Sequence, residues 1–471
     1  MLQRNARTRI AWMIVVAVVS LAALNLSATP HPARAEESRE TAPKAKQPNL
    51  GKLLFFDSTL SNPKGMSCAT CHAEAAGFAF PKSNVNLHAG PVPGVVHGRF
   101  GNRRPPSIAY AAYLPQGPPQ YVESLSAFVG GLFWDGRATD LANQATFPFQ
   151  NPNEENDFSN EVFDPGMVVA ALEKGPNAKL FMQKYGSDIF NHPTSEVFQD
   201  ISQEIANFET TDEVSPFSSK YDAFIAGKAK LNAHEMNGLM LVTGSTTGRP
   251  GGPPHKSAQC VLCHGIPSDP STGPDLWTNS CFANIGIPRN PNNPFYKEID
   301  SGSNPLGYNA LGEDYIDFGL GGSLYPQMGG LPAGNVGPGN NGQGDFLQIN
   351  GTFKTPTLRN VDKRPSPDFI KCYGHNGVFK SLKEVVHFYN TRNLTTVPGE
   401  VIDFTQDNPY ANLQGKPLWP VPEYASPDTM QNPSGAPNSA AGQVGNLQLS
   451  KEEEGDIVAF LKTLSDGYFR P

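Results

Sequence analysis

The feature of this sequence that most constrains its fold is a five-residue pattern, Cys-x-x-Cys-His, which occurs at 68–72 and again at 260–264. Two cysteines at this spacing can bind the two vinyl groups of one haem, and the adjoining histidine can bind its iron. A zinc site or a disulfide loop is the alternative for Cys-x-x-Cys alone, but the repeated histidine favours haem. We therefore predict two covalently bound haem c groups, attached through Cys68, Cys71, Cys260 and Cys263, with His72 and His264 as proximal iron ligands.

The N-terminus has the three parts of a secretory signal. Arginines precede an apolar run from Ile10 to Leu26, and Ala33-Arg34-Ala35 supplies small residues for a peptidase. The apolar run is short for a membrane-spanning helix. We therefore predict a cleaved signal peptide over 1–35, a mature chain that begins at Glu36 without a retained membrane anchor, and a periplasmic location.

The charge balance excludes some classes of partner. The formal net charge is −8, and it becomes −12 without residues 1–35, because that segment carries four arginines and no acidic residue. The acidic remainder has no run of lysine and arginine. Nucleic acid and anionic lipid are therefore not expected as partners.

Two further cysteines, Cys281 and Cys372, lie outside the motifs. An oxidising compartment would permit a disulfide between them. Their distance in space cannot be deduced from their separation along the chain, so the sequence leaves this pairing open.

The periodicity of the apolar residues predicts a mainly α fold. Helices are expected over 167–174, 196–209 and 235–242, and a closing amphipathic helix follows a Ser-x-x-Glu capping box at Ser450 and Glu453. Alternating runs typical of strands are not evident. Two long segments rich in Gly, Pro and Asn are expected to be irregular loops: 289–350 and 395–448.

The separation of the two motifs predicts one haem in each half of the chain. We expect a flexible leader over 36–48, an N-terminal cytochrome c domain over 49–232 and a C-terminal cytochrome c domain over 233–471. The predicted architecture is therefore two cytochrome c-like helical domains with long Gly/Pro-rich loops.

Four ordered blocks carry a family resemblance that covers most of residues 48–465. They are Leu-Gly-Lys-Leu-Leu-Phe-Phe-Asp at 50–57, Phe-Trp-Asp-Gly-Arg at 133–137, Asn-Ile-Gly-Ile-Pro at 284–288 and Phe-Lys-Thr-Pro-Thr-Leu-Arg-Asn at 353–360. With these blocks the chain resembles the bacterial dihaem cytochrome c peroxidase family, which includes the dihaem methylamine-utilisation enzyme that matures tryptophan tryptophylquinone. The resemblance implies that peroxide reacts at the N-terminal haem and that electrons enter through the C-terminal haem.

The resemblance also implies roles for particular residues. Trp134 corresponds to a tryptophan that lies between the haems, and Gln144 to a glutamine of the distal pocket. Glu154 corresponds to the glutamate of an Asn-Pro-x-Glu segment, where a carboxyl group would transfer protons to and from peroxide. Glu155 is the neighbouring alternative.

His97 lies in a segment from which some members of the family supply a removable distal histidine to the first haem. The resemblance further implies a calcium ion between the haems. This chain departs from the family pattern in that region, because Arg104 stands where an asparagine that contributes to the calcium site is common.

The sixth ligand of the second haem is expected on a helix that begins at the capping box of Ser381 and Glu384. Apolar residues at helical spacing from Leu382 place Tyr389 on the inward face. His387 lies about 140° from Leu382 around the helix, on a different face. Ordinary peroxidases of the family have Met at the Tyr389 position, whereas the quinone-maturing enzyme has Tyr, and a phenolate would favour higher oxidation states of the iron.

These features together predict a peroxidase that reduces hydrogen peroxide. Its electron source would be a small redox protein, such as a cytochrome c or a copper protein, or an oxidised partner protein that serves as the substrate. The resemblance is also compatible with a homodimer. Two other classes are weighed against this prediction: an electron-transfer cytochrome without peroxidase turnover, and an oxygenase, which would need a roomy apolar distal pocket.

Overall fold

The computed structural model describes residues 49–157, 162–268, 270–298, 309, 311–327, 349–394, 419–420, 422–424 and 444–469. The predicted signal peptide over 1–35 and the leader over 36–48 lie outside these residues, as does most of the predicted loop over 395–448. No helix among the described residues is both long enough and apolar enough to cross a membrane.

The described residues are mainly helical, as predicted. Their α-helices are α1 (Leu50–Phe55), α2 (Cys68–Cys71), α3 (Ser83–His88), α4 (Leu141–Gln150), α5 (Gly166–Glu173), α6 (Ala178–Tyr185), α7 (Thr194–Glu209), α8 (Lys220–Ile225), α9 (Ala233–Thr243), α10 (Leu320–Gln327), α11 (Leu382–Thr391) and α12 (Lys451–Lys462). Helix α10 falls within the segment 289–350, which was expected to be an irregular loop, so that expectation was wrong for residues 320–327.

Two small antiparallel sheets accompany the helices, although no strand was predicted. They pair β1 (Gln120–Val122) with β2 (Ala127–Val129), and β3 (Phe282–Ala283) with β4 (Phe353–Lys354). Strands of two or three residues are too short to produce a recognisable alternation of apolar and polar side chains. The periodicity of the apolar residues therefore did not indicate them.

Local capping explains where several helices begin. Ser450 and Glu453 form the predicted capping box of α12. At α11, Ser381 caps the helix by accepting a hydrogen bond from the backbone N–H of Glu384. In a capping box the Glu384 carboxylate would accept from the backbone N–H of Ser381. It accepts instead from the backbone N–H of Lys380 at 2.6 Å, one residue earlier.

The two largest hydrophobic cores among the described residues are formed by successive parts of the sequence. The buried members of the first come from residues between Leu50 and Val214. Those of the second come from residues between Tyr221 and Leu464. All described residues nevertheless belong to one compact unit over 48–471.

Each core contains a pair of helices that cross in close contact through a glycine. A Cβ atom on Gly51 of α1 would collide with the backbone of Glu204 in α7. A Cβ atom on Gly238 of α9 would likewise collide with the backbone of Asp456 in α12. Helices α1 and α9 each precede one Cys-x-x-Cys-His motif. The two crossings therefore lie at equivalent positions in the N-terminal and C-terminal halves of the chain.

Buried lysines link the second half of the chain to the first. Each inserts its ammonium group among backbone carbonyl oxygens instead of carboxylates, which satisfies its donors without an opposing charge. The contacts that cross between the halves run from Nζ of Lys354 to O of Gly130 (2.8 Å), from Lys371 to Ala76 (2.9 Å) and from Lys380 to Asn86 (2.8 Å). They hold the segments that bear the two motifs in one body.

We expect Gly238→Ala to lower the free energy of unfolding by about 1–3 kcal/mol, because the added methyl group forces α9 and α12 apart. The control is Gly455→Ala in α12, where a Cβ atom would meet nothing within 4 Å. That change should be neutral or should stabilise the protein by about 0.5–1 kcal/mol through helix propensity. Denaturant unfolding of the purified holoprotein measures both, and equal midpoints for the two variants would contradict the packing argument.

Candidate functional site

One continuous cavity of about 350 Å³ lies between the two motifs. It is lined by all six motif residues that were predicted to hold haem, namely Cys68, Cys71, His72, Cys260, Cys263 and His264. Four further predicted residues line the same cavity: Trp134, Gln144, Glu154 and Tyr389. The fold therefore brings these predicted residues together from separate regions of the chain.

Both motif histidines are oriented by a backbone carbonyl. The Nδ1 atom of His72 lies 3.0 Å from O of Phe78, and that of His264 lies 3.1 Å from O of Trp277. Phe78 and Trp277 both have positive φ angles, 55° and 56°, a conformation that non-glycine residues seldom adopt. When Nδ1 donates to these carbonyls, Nε2 remains as the ring nitrogen that can bind a metal.

Burial keeps the two imidazoles in the form that binds iron. It lowers the pKa of His72 to about 4 and that of His264 to about 4. Both rings are therefore neutral at physiological pH, as a metal ligand must be. Together with the motif cysteines, which are free thiols at the cavity wall, this donor set fits two haem groups.

The two cysteines outside the motifs are also free thiols, which answers the question that the sequence left open. Cys281 lies with its Sγ 3.6 Å from O of Asn279. Cys372 lies with its Sγ 3.4 Å from Oδ1 of Asn86. The structure therefore contains no disulfide between Cys281 and Cys372.

Carboxyl groups cluster at the part of the cavity near the first motif. Glu154 accepts a hydrogen bond from Nδ2 of Asn151 at 2.8 Å, and burial raises its pKa, although Arg137 and this hydrogen bond oppose the shift. Burial, with a contribution from Glu154, raises the pKa of Glu155 to about 8. Burial therefore shifts the pKa of both carboxyl groups toward the protonated form.

A third carboxyl group, Glu209, was missed by the sequence analysis. It lines the cavity from the end of α7, its Oε2 has no hydrogen-bond partner, and burial raises its pKa to about 8. A signal was available in the sequence, because Glu209 follows Ile201 and Ile205 at intervals of four residues and so shares their apolar face.

Trp134 is held by Arg104 and by the second half of the chain. Its Nε1 donates to O of Arg104 at 2.8 Å, and the Arg104 guanidinium lies over its ring at 5.3 Å. Its backbone O accepts from the N–H of Lys354 at 2.8 Å. The neighbouring Arg103 binds both Asp135 and Asp317 at 2.6 Å, and the charge of Arg103 lowers the pKa of Asp317 to about 2, although burial opposes this.

The two candidate ligands on α11 lie in different environments. Tyr389 lines the cavity, as its helical face predicted. His387 is directed to α12, where its Nδ1 lies 2.9 Å from Oε1 of Glu454, and it is not among the residues that line the cavity.

His97 is the one predicted site residue that the structure does not bring to the cavity. It is exposed, in a turn in which the N–H of Arg99 donates to O of Val96 at 3.2 Å. Two residues that the sequence analysis did not single out, His375 and Glu423, do line the cavity. The sequence offered no signal for either, because both depend on contacts between distant segments.

Comparisons with known proteins agree with this geometry. Residues 45–230 match the family model described as di-haem cytochrome c peroxidase. The methylamine utilization protein MauG of Paracoccus denitrificans is 29% identical over 426 residues, which cover 90% of this chain and 89% of that protein. The cytochrome c551 peroxidase of Nitrosomonas europaea is 32% identical over 231 residues, which cover 48% of this chain and 54% of that protein.

A solved structure extends the comparison to the fold. The diheme peroxidase BthA from Burkholderia thailandensis E264 is similar with a TM-score of 0.64 and 27% identity, and the match covers 89% of this chain and 86% of that chain. The fold, the two motifs and the cavity define a haem-dependent peroxidase, an oxidoreductase. More specifically, residues 45–230 match the dihaem cytochrome c peroxidase family, the chain is similar to MauG proteins over most of its length, and this confirms the family that the sequence blocks predicted.

We expect Glu209→Gln to change how stability depends on pH. Because burial raises the folded-state pKa of Glu209 to about 8, above the ordinary value of about 4.3, this carboxyl group should cost the wild-type protein stability as pH rises between those values. The slope is about 1.4 kcal/mol per pH unit within that window. The variant should therefore gain stability relative to the wild type between pH 5 and pH 8.

Denaturant unfolding of the holoprotein at the two pH values measures this gain. The exposed Glu173, changed to Gln, is the control and should follow the wild type at both values. A Glu209→Gln variant whose stability runs parallel to that of the wild type would contradict the prediction.

Proposed function

We propose that this chain is a periplasmic dihaem peroxidase that reduces hydrogen peroxide at the haem held by Cys68, Cys71 and His72. Electrons would arrive through the haem held by Cys260, Cys263 and His264, from a redox protein or from a partner protein that is itself oxidised. The observation that carries this proposal is the single cavity lined by both motifs and by Trp134, Gln144, Glu154 and Tyr389. Covalent attachment of both haems is part of the proposal.

The chemistry that the bound groups supply is the storage and transfer of electrons, and an iron with an open position can also react with peroxide. The protein must supply two protons, because H₂O₂ takes up two electrons and two protons to give two waters. We infer that Glu154 takes a proton from one peroxide oxygen and returns it to the other, which is general acid–base catalysis. Gln144, on the wall formed by α4, would orient the peroxide by hydrogen bonding.

Trp134 would lie on the path of electrons between the two sites. Its indole is fixed at Nε1 by O of Arg104, and its backbone is fixed by Lys354 of the second half. Contacts on both sides hold the ring in one orientation, which favours a role as a relay. The domain division at 232/233 remains a proposal; the buried residues of the second hydrophobic core already begin at Tyr221.

Tyr389 is proposed as a second residue, besides His264, that would bind the iron of the C-terminal haem. Its position on the cavity wall and the Phe-Tyr-Asn context at 388–390 support this assignment, whereas His387 is engaged with Glu454. A phenolate ligand would lower the reduction potential of this haem. The protein would then favour oxidation of a partner protein, in keeping with its similarity to MauG over most of both chains.

Two expectations from the sequence, a His97 ligand and a calcium ion, are not part of the proposed function. His97 could act as a removable ligand only if its segment moved, because it is exposed in the structure. Calcium between the haems would lack the expected amide oxygen, because Arg104 occupies that position and an arginine side chain has donors but no acceptor. The proposal therefore requires neither a His97 ligand nor calcium.

We expect Glu154→Gln to lower the rate of the reaction with peroxide by about 10²–10⁴, because an amide cannot accept and return the proton. The absorption spectrum of the resting holoprotein should be unchanged. Stopped-flow mixing with hydrogen peroxide measures the rate. The adjacent Glu155→Gln is the matched variant, and a larger loss there would transfer the acid–base role to Glu155.

If neither glutamate variant alters the reaction, the proposed acid–base role fails. If peroxide leaves the spectrum of the wild-type protein unchanged in every redox state, peroxidase turnover itself is contradicted. The protein would then be an electron-transfer cytochrome with both irons fully ligated.

We expect Tyr389→Met to raise the reduction potential of the second haem, by on the order of 100 mV or more, because a thioether favours ferrous iron while a phenolate favours ferric iron. A charge-transfer band typical of Met ligation should appear in the oxidised variant. Spectroelectrochemical titration measures both changes. Tyr389 would be excluded as the ligand if the wild-type protein already displayed the Met band.

A further inference from the structure

A buried tyrosine is connected to the haem cavity by a chain of short polar contacts. The Oη atom of Tyr296 donates to Oε1 of Glu423 at 2.6 Å, and the other carboxylate oxygen lies 3.1 Å from Nε2 of His375. Tyr296 is 4% exposed and His375 is 2% exposed. His375 and Glu423 both line the cavity. The series of contacts therefore runs from the cavity wall to a phenol in the protein interior.

These contacts lie beside Trp134, the proposed electron relay. The ring of His375 stacks on that of Phe353 with centroids 3.6 Å apart. The backbone O of His375 accepts from the N–H of Arg104 at 2.8 Å, and Arg104 in turn holds the indole of Trp134. Tyr296 is therefore linked through packed and hydrogen-bonded groups to the region between the two motifs.

Glu423 provides an acceptor for the Tyr296 proton when the ring loses an electron, whereas the guanidinium of Arg289, 3.9 Å from the centre of that ring, opposes the loss. Glu423 accepts hydrogen bonds from Tyr296 and, at 3.0 Å, from Nδ2 of Asn376, and it also contacts His375. Burial and the charge of Glu423 raise the pKa of Tyr296, so the phenol stays protonated at rest, with an acceptor already in contact with its hydroxyl group.

Other tyrosines also donate to carboxylates, but their position differs. Tyr110 bonds Asp466 and Tyr221 bonds Asp275, each at 2.8 Å. Neither aspartate is among the residues that line the cavity. Tyr296 combines a carboxylate partner with direct contact between that carboxylate and the cavity.

We propose that Tyr296 is a one-electron donor to the haem cavity, with Glu423 as its proton acceptor. The inference rests on the proposed function, because peroxide reacting at the N-terminal haem site supplies the oxidant. In the step, Tyr296 gives up one electron to the oxidised site while its O–H bond breaks and the proton passes to Oε1 of Glu423. The products are a neutral tyrosyl radical and a protonated Glu423. An electron from an external donor and the returning proton restore the phenol.

The test uses the holoenzyme mixed with hydrogen peroxide in the absence of an electron donor, frozen at successive times and examined by electron paramagnetic resonance. A tyrosyl signal is expected in the wild-type protein, and ring-deuterated tyrosine should narrow it. Tyr296→Phe should reduce the signal at least tenfold. Glu423→Gln should also reduce it, because an amide cannot take up the proton, although Tyr296 is still present.

Tyr221→Phe is the matched control, since it removes a buried tyrosine–carboxylate hydrogen bond of 2.8 Å outside the cavity wall. This variant should keep the wild-type signal. Absorption spectra of the same samples report separately whether the haem has reacted with peroxide.

The outcomes separate the two hypotheses. If the haem spectrum responds to peroxide but no tyrosyl signal forms, or the signal persists in Tyr296→Phe, this inference is overturned and the peroxidase function stands. If the haem spectrum does not respond, the proposed function fails, and the inference fails with it for want of an oxidant.

Discussion

The structure depends on two adjacent, partly buried arginines, Arg103 and Arg104, which join the two halves around Trp134. Arg103 binds Asp135 from the first half and Asp317 from the second at 2.6 Å. Arg104 accepts the indole N–H at its carbonyl and donates its own N–H to the carbonyl of His375. Buried charges are costly unless they are paired and hydrogen-bonded, so a displacement of either half would leave one of these groups uncompensated.

That constraint determines what the cavity can do. Because the halves are joined at Trp134, the two motif histidines line one cavity, in which burial shifts the pKa values of several groups. It keeps His72 and His264 neutral as ligands, and it raises the pKa values of Glu154, Glu155 and Glu209. The same low polarity that favours metal binding at the histidines therefore retains protons at the carboxyl groups. A peroxidase needs both, since electrons and protons must reach one substrate together.

Several parts of the fold and site could be predicted because they depend on neighbouring residues. The Ser450 capping box, the helices that contain 196–209 and 235–242, and the inward face of Tyr389 all follow from spacings of three or four residues. Predictions were less successful where the fold departs from such spacings. The short strands produce no periodic signal, helix α10 lies within a segment that composition marked as a loop, and His97 is exposed away from the cavity.

The sequence alone was enough to predict the haem chemistry of this protein, because two cysteines and a histidine within five residues need no distant partner to indicate an attachment site. It also determined the family, through blocks whose order is visible along the chain. Only the tertiary structure decided which side chains surround the haems and in which protonation state. Glu209, His375, Glu423 and Tyr296 acquire their positions from contacts between segments far apart in sequence, and their properties come from burial, which depends on how the whole chain packs.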